Sequence, residues 1–162
     1  MTSEPENGAL TLRLAGPADL PDLLALYRHL NPDDPPLDLA EATRLMADLV
    51  SRPGCGVHVG TVNGRLVTTC TLVVIPNLTR GGAPYGLVEN VVTDAAYRGR
   101  GHARAVLDAA VAAAWDRDCY KVMLLTGSRD PATLRFYACS GFEQNKTGFQ
   151  IRRLPVRGES AV

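Results

Sequence analysis

Three arginines crowd a pair of glycines in Tyr97-Arg98-Gly99-Arg100-Gly101-His102-Ala103-Arg104. An apolar run, Tyr85–Thr93, stands in front, and an alanine-rich stretch with helical spacing stands behind. A strand, a glycine turn and a helix start in that order converge unpaired backbone N–H groups on one point, where the helix terminus adds roughly half a positive charge. Gly99 and Gly101 let the main chain approach a ligand with no Cβ in the way. Binding an anion, a diphosphate above all, is the chemistry this pattern suits. A plain basic turn between strand and helix is the alternative.

Spacing narrows the choice of cradle. A Walker loop needs Lys-Ser/Thr after its last glycine, and His102-Ala103 follows Gly101 instead. A dinucleotide fingerprint needs a third small residue, and Arg104 occupies that slot. The preceding strand carries one carboxylate, Glu89, next to Asn90. A carboxylate in an otherwise apolar strand is costly to bury unless paired. A substrate ammonium, a relaying water or a structural arginine would each satisfy it.

The chain of 162 residues suits one domain, large enough to bury about two-thirds of its unfolded surface. Formal net charge is zero, so no global field draws it to nucleic acid or membrane. Four cysteines and three histidines show no metal-ligand spacing, and no metal is expected. Residues 1–9 are expected to be a flexible polar start, with no apolar signal region or membrane span. A cytoplasmic protein with reduced thiols is expected.

The elements follow from pattern. Leu10–Leu14 alternates as a strand, and Leu20 through Leu30 has helical spacing, with Asp19 as the expected N-cap. Asn31–Pro36 cannot continue a helix, and Asp38 is expected to cap the next one. Val57–Val62 and Arg65–Ile75 flank Asn63-Gly64, a strong hairpin signal. Tyr85–Thr93 is expected to be a central strand, apolar on both faces. Tyr120–Thr126 reads as another buried strand, and Asp130-Pro131 opens a helix that Gly141 ends. Phe142–Asn145 and Thr147–Arg153 read as a closing hairpin, and 154–162 as a frayed tail. The order βααβββαβαββ implies an α/β (α+β) fold, a mixed central sheet with helices on both faces.

The string Arg98-Gly99-Arg100-Gly101-His102-Ala103 resembles the pyrophosphate loop of the GCN5-related N-acetyltransferases, written Arg/Gln-x-x-Gly-x-Gly/Ala. Asp130 through Phe142 is similar to that family's closing block, matching at Phe136, Tyr137, Gly141 and Phe142. The resemblance covers about residues 10–153 as a single domain. It implies acetyl-CoA as co-substrate, held by Val91, Val92 and Thr93 of the strand and by Arg98, Gly99, Arg100, Gly101, His102, Ala103 and Arg104 of the loop. It implies pantetheine between two strands that splay beside a bulge, oxyanion donors near Val91 and Val92, and direct attack in a ternary complex. Tyr137, a phenol still protonated at neutral pH, becomes the candidate general acid, against a purely packing role. Glu89 becomes the candidate base or amine binder, and the Asn31–Pro36 segment a wall of the acceptor site.

Val88-Glu89-Asn90-Val91-Val92, Cys119-Tyr120-Lys121-Val122 and Gln150-Ile151-Arg152 look like glucosamine-6-phosphate N-acetyltransferases. That subfamily implies Glu89, Asn90, Tyr120, Lys121 and Arg152 as substrate contacts, Lys121 and Arg152 clamping the phosphate. It also implies a homodimer that exchanges the last strand. The chain departs from the subfamily at Leu125-Thr126, where an Asp is usual. Amino acids, polyamines and aminoglycosides stay open as acceptors, as does a non-catalytic acyl-CoA-binding module.

Overall fold

In the computed structural model, which describes residues 8–153, Asn63 and Gly64 reverse the chain with φ of 49° and 80°. Positive φ at both central residues is what a type I′ turn needs to match strand twist. The turn joins β2 (Gly56–Val62) to β3 (Arg65–Ile75). With β1 (Leu10–Leu14), β4 (Tyr85–Thr93) and β5 (Val122–Leu124), these form one sheet in the order β1-β2-β3-β4-β5. The first four strands are antiparallel, and β4 and β5 are parallel. A parallel pair requires a long crossover, here the helix α3 (His102–Trp115).

Helices cover both faces. Along β3, Thr69 and Thr71 turn one way and bond the hydroxyl of Tyr27 on α1 (Leu20–Tyr27). Cys70, between them, turns the other way and sets its Sγ 3.5 Å from the Val106 carbonyl of α3. On the first face Leu23 and Leu26 pack with Val57, Val59 and Val92. There α2 (Leu39–Val50) adds Ala42 and Met46 against Leu20. On the second face the small residues of α3 bring it close to the strands. A Cβ built on Gly86 of β4 would lie 3.4 Å from the Ala114 Cβ. Ala110 and Ala114 are fully buried there.

The chain divides after Thr126 into two compact units. The second contains α4 (Pro131–Cys139), whose N-cap Asp130 accepts from the Ala132 N–H with Pro131 in the first turn. Gly141 ends it with φ of 88°. Leu10–Leu14, Tyr85–Thr93, the Asp38 cap (which accepts from the Glu41 N–H) and the Asn31–Pro36 loop are as expected.

Four expectations are corrected. Asp19 makes no side-chain cap on α1. It turns back to accept from the Gly16 N–H at 2.8 Å and pairs with Arg13 at 2.7 Å, capping the 3₁₀ turn before the helix. The strand expected over Tyr120–Thr126 stops at Leu124, opposite Val88, because β4 changes course just beyond. For the same reason Glu89, read as a carboxylate within an apolar strand, is exposed rather than buried, as is Asn90 beside it. Phe142–Asn145 and Thr147–Arg153 form no strands, and Phe149 and Ile151 are 93% and 101% exposed. A lone two-stranded hairpin is marginal in water, and alternating apolar residues form a strand only against a partner. The flexible start and frayed tail expected at 1–9 and 154–162 fall, but for Gly8 and Ala9, outside the described residues.

Burial pushes the Cys70 thiol up to about 12 and raises that of Cys119, so neither is a thiolate near neutrality. Cys139 is exposed on α4. Iodoacetamide at pH 8 is therefore expected to label Cys139 in the folded protein, and Cys70 and Cys119 only after denaturant. Peptide mass spectrometry checks this; rapid native labelling of Cys70 would contradict its burial.

Candidate active site

The ladder between β3 and β4 loses step at one place. Thr69 pairs with Val92 and Thr71 with Glu89, so Cys70 alone faces two residues, Asn90 and Val91. This is a β-bulge, and Asn90 takes φ of 52° to make it. Asparagine tolerates that left-handed conformation better than any β-branched neighbour would. On the other edge, pairing with β5 covers only Gly86–Val88. From Glu89 onward, β4 therefore has no β5 ladder beside it. At the bulge the β3 ladder skips Asn90 and Val91 and resumes at Val92, which pairs with Thr69.

The strand runs straight into the glycine turn. Asp94 caps a 3₁₀ turn at Ala95–Tyr97, accepting from the Ala96 N–H at 2.9 Å. Arg65, across the β2–β3 hairpin, pairs with Asp94 at 2.9 Å. Burial would raise the Asp94 carboxyl, but the Ala96 N–H, Arg65 and nearby His29 together hold it below its ordinary value. Tyr97 is buried with Val62 and Val67, and the guanidinium groups of Arg65 and Arg100 lie 5.7 and 5.4 Å from its ring centre. The turn is thus rooted in the core while its tip stays open.

At that tip Gly99 and Gly101 have φ of 74° and 80°, and a Cβ on either would meet nothing within 4 Å. Gly101 is the N-cap of α3 and offers no side-chain oxygen, so the N–H groups of the first turn face the open side. Arg98 donates to the Thr93 carbonyl at 3.2 Å, and Arg104 pairs with Asp108 at 3.1 Å. Burial, then Arg100, holds the His102 imidazole below its ordinary value and favours its neutral form. Open glycines, free amides and flanking arginines suit a diphosphate.

A cavity of about 340 Å³ opens on the bulge from the α1 side. Leu24 and Tyr27 of α1, its C-cap Arg28, Asn31 and Asp34–Leu37 of the proline-rich loop, and Asn90 line it. The volume falls within the roughly 300–1,000 Å³ of small-molecule sites. Burial raises the Tyr27 phenol, Thr71 and Thr69 offsetting part of that, so it stays protonated. Tyr27, Arg28 and Asp34 had no signal of their own in the sequence beyond their place beside the Asn31–Pro36 loop.

The structure brings some candidates together and separates others. Glu89 stands opposite Thr71 on the α1 face and enters none of the ion pairs among the described residues. The structural salt bridge considered for it is thus not formed among the described residues. Asn90 joins the cavity, and Val91, Val92 and Thr93 lead to the cradle. Tyr120 and Lys121 lie at the opposite end of β5, where the Lys121 carbonyl accepts from the Gly86 N–H at 2.9 Å. Glu89 is three residues beyond Gly86, roughly 10 Å along the strand. Lys121 Nζ rests over the rings of Tyr85 and Tyr120, at 5.1 and 5.5 Å, and Arg80 stacks on Tyr120. Within the second unit, Tyr137 lies edge-on to Phe136 and Phe142 at 5.0 and 6.3 Å. Arg152 donates to Gln150 at 3.2 Å. No cluster able to hold a metal ion occurs among the described residues.

This combination of mixed sheet, interrupted β4 and glycine cradle is that of an acetyltransferase, and residues 23–142 match the model of the Acetyltransferase (GNAT) family. The chain belongs to that family and is an N-acetyltransferase. It is 34% identical over 144 residues to a glucosamine 6-phosphate N-acetyltransferase of Trypanosoma brucei brucei, spanning 88% of this chain and 95% of that protein. Among solved structures it is similar to an Agrobacterium tumefaciens str. C58 protein described as an acetyltransferase, with TM-score 0.84 and 54% identity over 88% of this chain and 99% of that one. The glucosamine-6-phosphate N-acetyltransferase of Arabidopsis thaliana shares the fold, with TM-score 0.79 at 19% identity over 90% and 98% of the two chains.

Two outcomes follow from the bulge and its anchor. Replacing Asn90 by Val is expected to cost about 1–2 kcal/mol, and by Gly close to nothing, since only the first cannot hold the positive φ easily. Urea denaturation of the two variants checks this, and equal losses would refute it. Asp94 has a depressed folded pKa, so its contribution is full above the unfolded carboxylate value of about 3.9 and fades as pH falls through the lower folded value. The stability gap between wild type and Asp94→Asn should be widest near neutrality and shrink below about pH 4. Denaturation curves across pH 2–7 measure it.

Proposed function

We propose that the protein transfers the acetyl group of acetyl-CoA to the primary amine of a small molecule, by direct attack in a ternary complex. The observation that carries this is the bulge at Asn90–Val91, set where β5 pairing has just ended, with the cradle downstream and the cavity on the α1 side. An amine in the cavity and a thioester along the open edge of β4 would meet at the bulge.

The residues then have distinct tasks. Gly99, Gly101 and the first turn of α3 hold the diphosphate, with Arg98, Arg100 and Arg104 adding positive charge and His102 and Ala103 lining the site. Glu89 accepts the proton of the incoming ammonium, directly or through water, and frees the nitrogen lone pair. As the N–C bond forms, the N–H groups of Val91 and Val92 stabilise the oxyanion. The C–S bond breaks, and the Tyr137 hydroxyl protonates the departing thiolate.

The acceptor we favour is an amino-sugar phosphate such as glucosamine 6-phosphate. The name and 34% identity of the trypanosomal relative support it, as do the cavity's size and the match at Glu89, Asn90 and Arg152. A homodimer fits the exposed Phe149 and Ile151, whose segment would gain a strand partner there and carry Arg152 to a second site. A cytoplasmic setting fits four thiols with no disulfide.

An amine-library assay of thiol release from acetyl-CoA tests the reading. Turnover of glucosamine 6-phosphate is expected, and silence across amino sugars, amino acids and polyamines would overturn it. Tyr137→Phe should lower kcat by about 10² or more while leaving acetyl-CoA affinity unchanged. An unaltered kcat would remove the acid role.

A further inference from the structure

Arg28 occupies the C-cap of α1, and its side chain joins the cavity wall. Among the described residues lining the cavity it is the one cation. Arg13, Arg44, Arg52, Arg65 and Arg104 each hold a carboxylate, whereas Arg28 enters none of the ion pairs among the described residues. Around it stand the amides of Asn31 and Asn90 and an apolar wall of Leu24, Leu30 and Leu37. A guanidinium beside apolar side chains is well suited to a carboxylate or phosphate, because its fork bonds two oxygens at once and it sheds water readily. Asp34 on the same wall gives the cavity one charge of each sign, which matches an amine that also bears an acidic group.

Lys121 offers no such service to this cavity from within the chain. Its ammonium lies over Tyr85 and Tyr120, at the far end of the β4–β5 pair. We infer that Arg28 selects acceptors carrying an anionic oxygen group, phosphate or carboxylate, by pairing with it inside the cavity, and that Lys121 of the same chain does not. This rests on the cavity being the acceptor site.

The test uses the full chain saturated with CoA and two matched pairs of amines, glucosamine 6-phosphate against glucosamine and 4-aminobutyrate against butylamine. Calorimetric titration gives the anion preference of each pair, the first reporting phosphate and the second carboxylate. In wild type and Lys121→Gln, the anionic member of at least one pair is expected to bind about tenfold tighter or better. Arg28→Gln should bring that pair within about twofold, while Arg28→Lys keeps part of the preference and shows that the fold is intact. Loss of preference in Lys121→Gln but not in Arg28→Gln overturns the inference, as does a wild type with no anion preference in either pair. Thiol release separates the two levels. An anion preference that depends on Arg28, in a protein that acetylates none of these amines or the library, supports the Arg28 site while sinking the acetyl-transfer reading.

Discussion

The proposed site depends on a sheet that is not allowed to finish. Backbone N–H groups inside a protein are obligatory donors, and a complete ladder would consume those of β4. The extra residue opposite Cys70 takes Asn90 and Val91 out of the β3 register, and the early end of β5 leaves the other edge without a ladder from Glu89 onward. The cost falls on Asn90, held at a positive φ that most residues avoid. Asparagine there is a compromise, since it accepts the conformation and also supplies an amide to the cavity.

An interrupted strand needs firm support, and it comes from both faces. Ala110 and Ala114 allow α3 to approach β4 at Gly86, where a larger residue would press on Leu72 and Val122. On the opposite side Leu23 and Leu26 lock α1 onto Val59 and Val92. The cradle is fastened separately. Arg65 reaches from the hairpin to Asp94 and the face of Tyr97, and the His29 imidazole accepts from the Ala95 N–H at 3.4 Å. Residues distant in sequence thus brace a turn only a few residues long.

What was legible in the sequence was chiefly local chemistry. Asn63-Gly64, Asp38, Asp130-Pro131 and Gly141 each do within a few residues what their side chains or φ preferences dictate. The anion cradle was legible for the same reason, being a contiguous string. The bulge was not, because it is a relation between two strands, and no single residue of β4 specifies where Cys70 will fall. Glu89 misled for a related reason, since its apolar neighbours suggested burial that the early end of β5 prevents. Phe142–Arg153 has strand-like alternation, yet alternation states only which side chains share a face and says nothing of whether a neighbour exists. Asp19 had a choice of N–H groups, and the arginine six residues back decided it.

The glycine cradle and the cavity are built from different parts of the chain. The cradle belongs to Asp94–Ala103 and the head of α3, while the cavity belongs to the end of α1 and the Asn31–Leu37 loop. Asn90 is the one cavity residue that β4 contributes. The loop between α1 and α2 also lies outside the sheet's hydrogen-bond ladders, so its length and composition are free to vary without disturbing the strands. On the proposed reading, a scaffold divided in this way separates the inheritance of its acyl donor from that of its amine. Changing one short surface segment would then give the same edge of β4 a different clientele.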